Sequence, residues 1–169
     1  MHIRPASPDD AESLLAIYTP FVEHTTVSFE TTPPAVEVFR QRIDKALRQW
    51  QWLVAEDAGR CVGYAYGSQH RERAAYRYSC EVSVYLAPTH HRRGLGRRLY
   101  GELLPQLAER GYCNAFAGVA QPNPASVALH RAAGFEPIGV FRAVGRKFGR
   151  WHDVLWLQCP LRAEPLDGD

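Results

Sequence analysis

Charge of one sign is scarce: 20 Lys and Arg against 18 Asp and Glu leave the 169-residue chain at a formal +2. A balance that small predicts no polyanionic partner, so any recognition of an anion must be local. Cysteine is thin and scattered, at Cys61, Cys80, Cys113 and Cys159, with no C-x-x-C pair. That spacing excludes a zinc ribbon or a disulfide frame, and it predicts reduced thiols in a cytoplasmic protein. Met1 to Pro5 lacks the basic-then-apolar build of a secretory leader. No apolar run approaches the length needed to cross a bilayer, so no membrane partner is expected. Internal repeats and low-complexity linkers are missing too. One domain over residues 1–161, with a short polar tail at 162–169, is the economical reading. At 46% apolar and 22% charged residues, the chain has the composition of a folded protein.

What is present reads as alternating strands and helices. His2 to Pro5 fits an edge strand. Ser7-Pro8-Asp9-Asp10 supplies an N-cap, a first-turn proline and acids for a helix expected to end at Pro20. Thr25 to Thr32 reads as an extended loop or short strand, and Ala35 to Gln49 as a helix. Trp52 to Glu56 and Cys61 to Ser68 flank a hairpin turn, and Tyr78 to Leu86 is the next strand. Gly94 to Arg110 carries a leucine stripe at helical spacing, and Pro105 should press only on Gly101. Asn114 to Val119, Phe135 to Gly145 and Val154 to Leu161 read as strands, with a helix over Ala125 to Ala133. The sum is a mixed sheet with helices on its faces, of the α/β or α+β class.

The most informative stretch runs from Glu81 through Pro88 and His91-Arg92-Arg93-Gly94-Leu95-Gly96-Arg97. A strand enters a basic turn, and glycines open a helix. Unpaired N–H groups at a helix start, with the dipole behind them, favour an anion there. Gly94 and Gly96 let phosphate oxygens approach the main chain, and Arg92, Arg93, Arg97 and Arg98 add charge suited to a pyrophosphate. A Rossmann fingerprint would need glycine at Leu99, and a P-loop would need Lys where Glu102 follows Gly101. Both are excluded.

That turn resembles the coenzyme A signature of the GNAT N-acetyltransferases, Arg/Gln-x-x-Gly-x-Gly/Ala, with His91 in the first position. Asn123-Pro-Ala-Ser126-Val-Ala-Leu-His130-Arg-Ala-Ala-Gly-Phe135 is similar to the family's later motif. Leu129-His130 with Gly134-Phe135, Gly149 to Val154, Thr25 to Phe29 and Cys80 to Tyr85 resemble the branch acting on phosphinothricin, methionine sulfoximine and methionine sulfone.

The resemblance covers about His2 to Leu161. It implies a mostly antiparallel sheet of about seven strands flanked by helices, acetyl-CoA as co-substrate without a metal, and a homodimer. It implies that Gly94, Leu95, Gly96 and the adjoining arginines hold the pyrophosphate. Main-chain groups of Val84, Tyr85 and Leu86 would align the pantetheine, with Asn123 and Ser126 beside it. His130, standing where most members have Tyr, would assist the departing sulfur.

Thioester aminolysis needs a neutral amine, and Glu81 is the expected general base. Strand alternation puts Glu81, Ser83 and Tyr85 on one face. Arg73, with Arg71 as helper, is suited to gripping a substrate carboxylate, and Phe29, Tyr76 and Tyr78 would wall the acceptor. The bland readings are a strand-end acid and a solvated Arg/Tyr loop. Rival functions are acetylation of another amino acid, a polyamine or a protein N-terminus, or a non-catalytic acyl-CoA binder. The pair His152-Asp153 lacks a Gly-x-Ser-x-Gly nucleophile turn, and His90-His91 lacks the spacing of a helical metal site.

Overall fold

Ser7 starts the first helical segment as expected. Its Oγ accepts from the Asp9 amide at 3.2 Å while Asp10 accepts from the Ser7 amide at 2.7 Å. The computed structural model describes residues 1–166. In chain order the elements are β1 (His2–Pro5), α1 (Ala11–His24), α2 (Val36–Gln49), β2 (Trp52–Asp57) and β3 (Arg60–Gln69). They continue with β4 (Ser79–Leu86), α3 (Leu95–Glu109), β5 (Asn114–Ala120), α4 (Pro124–Ala132), β6 (Glu136–Lys147) and β7 (Arg150–Pro160).

The strands form one seven-stranded sheet in the order β1-β2-β3-β4-β5-β7-β6, antiparallel throughout except where β4 meets β5. On one face α1 and α2 pack over an aromatic layer. Tyr18 and Phe39 meet Tyr85, Tyr64 and Trp52 at ring separations of 4.9–6.3 Å. On the other face α3 buries Leu95, Leu99, Leu103 and Leu107, the stripe read from the sequence.

Two helices outrun the proline rule. The first was expected to stop at Pro20 but continues to His24. Pro20 and Ala16, whose carbonyl loses its partner, both lie on the exposed face, where water can satisfy that oxygen. Pro105 and Gly101 are likewise exposed, and α3 passes through them. Thr25 to Thr32 forms no strand; it is a bent loop tied by Thr25 Oγ1 to the Phe21 carbonyl at 2.7 Å.

The last hairpin is longer than its alternation implied, because β7 begins at Arg150 rather than Val154. Phe148 and Gly149 both have positive φ (52° and 72°), the geometry of a tight two-residue turn. His152 Nε2 lies 3.0 Å from the Lys147 carbonyl, and Asp153 accepts from the Ala143 amide at 2.7 Å. Both side chains brace the hairpin. Residues 162–166 are docked, with Arg162 donating to the Ala108 carbonyl at 3.0 Å; the remainder of the expected tail, 167–169, lies outside the described residues.

Leu107 is fully buried between α3 and the sheet. Leu107→Ala should cost about 2–5 kcal/mol, read as a lower urea midpoint with an unchanged slope.

Candidate functional site

The parallel pairing of β4 with β5 covers only Ser79–Glu81 against Asn114–Phe116. Beyond it β4 runs on to Leu86 and β5 to Ala120, so the two strands part into a wedge. Ala87 donates to the Val62 carbonyl at 2.9 Å, which turns the odd-numbered residues of β4 toward β3. Alternation therefore points the main-chain groups of Val84 and Leu86 into the opening. The Leu86 carbonyl is met by His91, and the sheet provides no partner from β5 for the others at that level. A cavity of ≈ 50 Å³ lies here, lined by Val84, Tyr85, Tyr100, Asn123, Ser126 and His130 among others.

At the wide end of the wedge, a short 3-10 turn (Pro88–His90) leads into the glycine turn. Gly94 takes φ 73°, a left-handed conformation that suits glycine, and no side chain caps the N-terminus of α3. Leu95 sends its side chain into the core. A Cβ on Gly96 would come within 2.8 Å of Leu129, so glycine there lets α4 close on α3. Arg92, Arg93, Arg97 and Arg98 stand exposed around the mouth. The His91 imidazole lies 3.0 Å from the Leu86 carbonyl and locks the strand to the turn. An uncapped helix start in a basic rim, opening on a slot with free strand edges, fits a diphosphate followed by a narrow amide-bearing arm.

Inside the wedge His130 is 4% exposed. Its Nδ1 lies 2.7 Å from the Ser126 carbonyl, which can only accept, so Nδ1 carries the proton. Nε2 then accepts from the Tyr100 hydroxyl at 3.0 Å. Burial pushes the His130 pKa down and holds the ring neutral. Asn123 caps α4 by accepting from the Ser126 amide at 3.1 Å.

At the narrow end, Glu81 faces a second cavity of ≈ 450 Å³ shared with Ser28, Phe29, Glu30, Ser83 and Trp156. Burial raises the Glu81 pKa, while His70, 3.1 Å away, and Arg71 pull it back. The loop over this cavity is held from both sides. Tyr18 and Arg42 bond Glu30, the latter at 2.8 and 2.6 Å. The Lys147 ammonium, 5% exposed, donates to the Val22 and Ser28 carbonyls at 2.6 and 2.7 Å. Phe29 packs on Gly145, where any side chain would collide with its ring.

The structure thus brings Glu81 and Phe29 to one cavity and Val84, Tyr85, Asn123, Ser126 and His130 to the adjoining wedge. Arg71, Arg73, Tyr76 and Tyr78 sit on the segment between β3 and β4, outside the lining of either. Arg71 lies over the Tyr76 ring at 5.8 Å. Among the described residues, no carboxylate pairs with Arg71 or Arg73, and no group of three or more His, Cys, Asp or Glu could hold a metal ion. All four cysteines are free thiols, and among the described residues no helix is long and apolar enough to cross a membrane.

Sequence reasoning missed His70, Tyr100 and Lys147. His70 falls on Glu81 through the antiparallel β3–β4 register, and Tyr100 follows from one helical turn beyond Gly96. Lys147 carried no signal in one dimension.

The chain matches the family model described as an acetyltransferase (GNAT) domain over residues 3–156. It is 39% identical over 165 residues to a phosphinothricin N-acetyltransferase of Streptomyces coelicolor, covering 95% of this chain and 96% of that protein. It is 36% identical to an L-methionine sulfoximine/L-methionine sulfone acetyltransferase of Pseudomonas paraeruginosa, over 96% of this chain and 98% of the relative. The crystal structure of a phosphinothricin acetyltransferase from Sinorhizobium meliloti in complex with AcCoA superposes with a TM-score of 0.93 at 35% identity, covering 99% of this chain and 94% of that one. The chain belongs to the GNAT acetyltransferase family. It is an acetyl-CoA-dependent N-acetyltransferase.

Lys147→Met keeps the length of the buried side chain and removes its hydrogen bonds to the Val22 carbonyl of α1 and the Ser28 carbonyl of the loop over the Glu81 cavity. The KM for the acceptor should rise about tenfold, equivalent to about 1.4 kcal/mol, with the KM for acetyl-CoA near wild type; initial-rate kinetics over both substrates checks this.

Proposed function

We propose that this enzyme acetylates the amine of small amino-acid-like acceptors, with phosphinothricin, methionine sulfoximine and methionine sulfone as the substrate class. The observation that carries the reading is Glu81, a half-buried carboxylate at the junction of the wedge with a cavity sized for such a molecule. The relatives named above act on that class.

Acetyl-CoA supplies an activated acetyl carbon and a thiolate leaving group; the amine lone pair forms the C–N bond as the C–S bond breaks. Glu81 takes a proton from the acceptor ammonium, directly or through one water, and so exposes that lone pair. Gly94, Leu95, Gly96 and Arg97 bind the diphosphate through main-chain N–H groups, with Arg92 and Arg93 adding charge. Main-chain groups of Val84 to Leu86 align the pantetheine amides, and one N–H there polarises the thioester carbonyl. Asn123 and Ser126 flank the arm. His130 assists the departing sulfur, acting through the Tyr100 hydroxyl from which its Nε2 accepts at 3.0 Å. Phe29 lines the acceptor cavity, whereas Arg73, with Arg71 beside it, and Tyr76 and Tyr78 stand outside that lining and would reach the acceptor carboxylate and side chain by closure of the β3–β4 segment. The same two cations disfavour a polyamine.

Two further parts of the reading concern context. Free thiols and the lack of a spanning helix accord with a cytoplasmic enzyme. A homodimer is supported by the outer hairpin, where Ile138, Val140, Phe141, Val144, Phe148 and Trp151 are 45–62% exposed. An apolar strip of that kind on an edge strand is a contact surface. Light scattering should give twice the monomer mass for wild type, and Trp151→Asp should shift the population toward monomer.

The deciding experiment is steady-state acetylation of the three acceptors, with spermidine and an N-terminal alanine peptide as competitors. Glu81→Gln should lower kcat/KM by about 10²–10⁴ at neutral pH. An unchanged rate would remove Glu81 from the role, and preference for spermidine or the peptide would overturn the substrate class.

A further inference from the structure

His70 is the side chain nearest the reaction centre that the mechanism above leaves without a task. It follows the last residue of β3, and the hairpin register pairs Ser68 with Glu81, so His70, two residues on and on the same face, lies diagonal to Glu81. Its ring is fixed in plane by three neighbours. It stacks on Phe116 at 4.5 Å and 14°, Tyr76 meets it edge-on at 5.6 Å, and Trp156 does so at 6.3 Å. So enclosed, the imidazole keeps Nδ1 at 3.1 Å from Glu81 Oε1. An ionised carboxylate only accepts, so Nδ1 carries the proton in that contact.

We infer that His70 is the positioning residue of the catalytic carboxylate: its Nδ1–H holds Glu81 Oε1 and leaves Oε2 to receive the acceptor proton. This rests on the reading of Glu81 as the base. Two physical needs are met at once. A carboxylate buried beside aromatic rings favours its neutral form, which cannot act as a base, and a fixed donor restores the ionised form. The same bond removes a rotational freedom, so the free oxygen faces the cavity rather than sweeping it. His70 also lines a smaller cavity of ≈ 170 Å³ with Arg71, Phe116, Ile138 and Phe141, and Trp156 borders both this space and the one that Glu81 faces.

The other titratable groups around it are Arg71 on the same segment, Tyr76 on the following 3-10 turn, Tyr66 on β3 and Cys80 beside Glu81. Phe116 from β5 and Trp156 from β7 carry no charge. Arg71 favours the ionised carboxylate as His70 does, so loss of His70 weakens that support without abolishing it.

The sign of the expected pH effect follows. The donor keeps the Glu81 pKa below what burial alone would set, so removing it raises that pKa and shifts the acid limb of kcat/KM to higher pH. His70→Phe keeps the stack on Phe116 and deletes the donor. His70→Asn returns an amide N–H close to the position of Nδ1. With acceptor and acetyl-CoA, profiles from pH 5 to 9 should show the His70→Phe limb about one unit higher. Activity at the foot of the limb should fall about tenfold while the alkaline plateau stays near wild type. His70→Asn should bring the limb back toward its original position.

A His70→Phe limb that stays in place, with or without a lower plateau, overturns the inference and leaves the ring as packing. Glu81→Gln run in parallel separates the two readings. A near-wild-type rate for that variant sinks the base itself, whereas a lost rate with an unmoved His70→Phe limb sinks only the role of His70.

Discussion

Two strands that begin as hydrogen-bonded neighbours and then separate create the site, and the rest of the molecule is arranged to tolerate that separation. β4 and β5 share three paired positions before they diverge. Each is secured on its other edge, β4 by β3 over seven positions and β5 by β7 over seven. The cost of unpaired main-chain groups along a divided sheet is high in a dry interior, of order 1–3 kcal/mol per group. A slot filled by a ligand bearing amides of its own meets that cost from outside. The same division explains the placement of the proposed chemistry: Glu81 and Phe116 form the last paired position, so the proposed base stands at the apex, and the glycine turn stands at the open end.

The helices set the chemical character of each end. At the open end, α3 contributes polarity through what it lacks, a capping side chain, while Leu95 roots that turn in the core. At the apex, the surroundings are aromatic and only partly wetted, which raises the proton affinity of a carboxylate and lowers that of a histidine. Glu81 and His130 are thereby pushed in the directions that make one a stronger base and the other an uncharged ring. Burial is the largest influence on both, moderated at Glu81 by His70 and Arg71.

Much of this was legible in one dimension and some was not. The α3 stripe, the glycine turn and the Asn123-to-Phe135 motif are local patterns with fixed spacing, so they could be placed without coordinates. The extents of α1 and β7 were misjudged for local reasons as well. Pro20 breaks a rule only where its missing bond would be buried, and the exposed Ala16 carbonyl removes that condition. The turn at Phe148-Gly149 puts a bulky residue at positive φ, which composition does not announce. Long-range pairings were out of reach for a different reason. Lys147 lies more than a hundred residues from the carbonyls it holds, and no periodicity connects them. Arg71 and Arg73 were assigned from their segment, and their distance from the acceptor lining depends on a loop course that only tertiary packing determines.

The bare start of α3 has an energetic corollary. Many helices satisfy their first amides with a neighbouring Ser, Thr, Asp or Asn, and a glycine cap such as Gly94 forfeits about a few tenths of a kcal/mol by comparison. On the proposed reading of this turn the omission leaves a docking point for phosphate, and the diphosphate that fills it supplies the missing interaction from solution. By mass action the folded population then rises with the concentration of the acyl carrier. The cell's metabolic supply of that carrier becomes one of the forces that keep this chain folded.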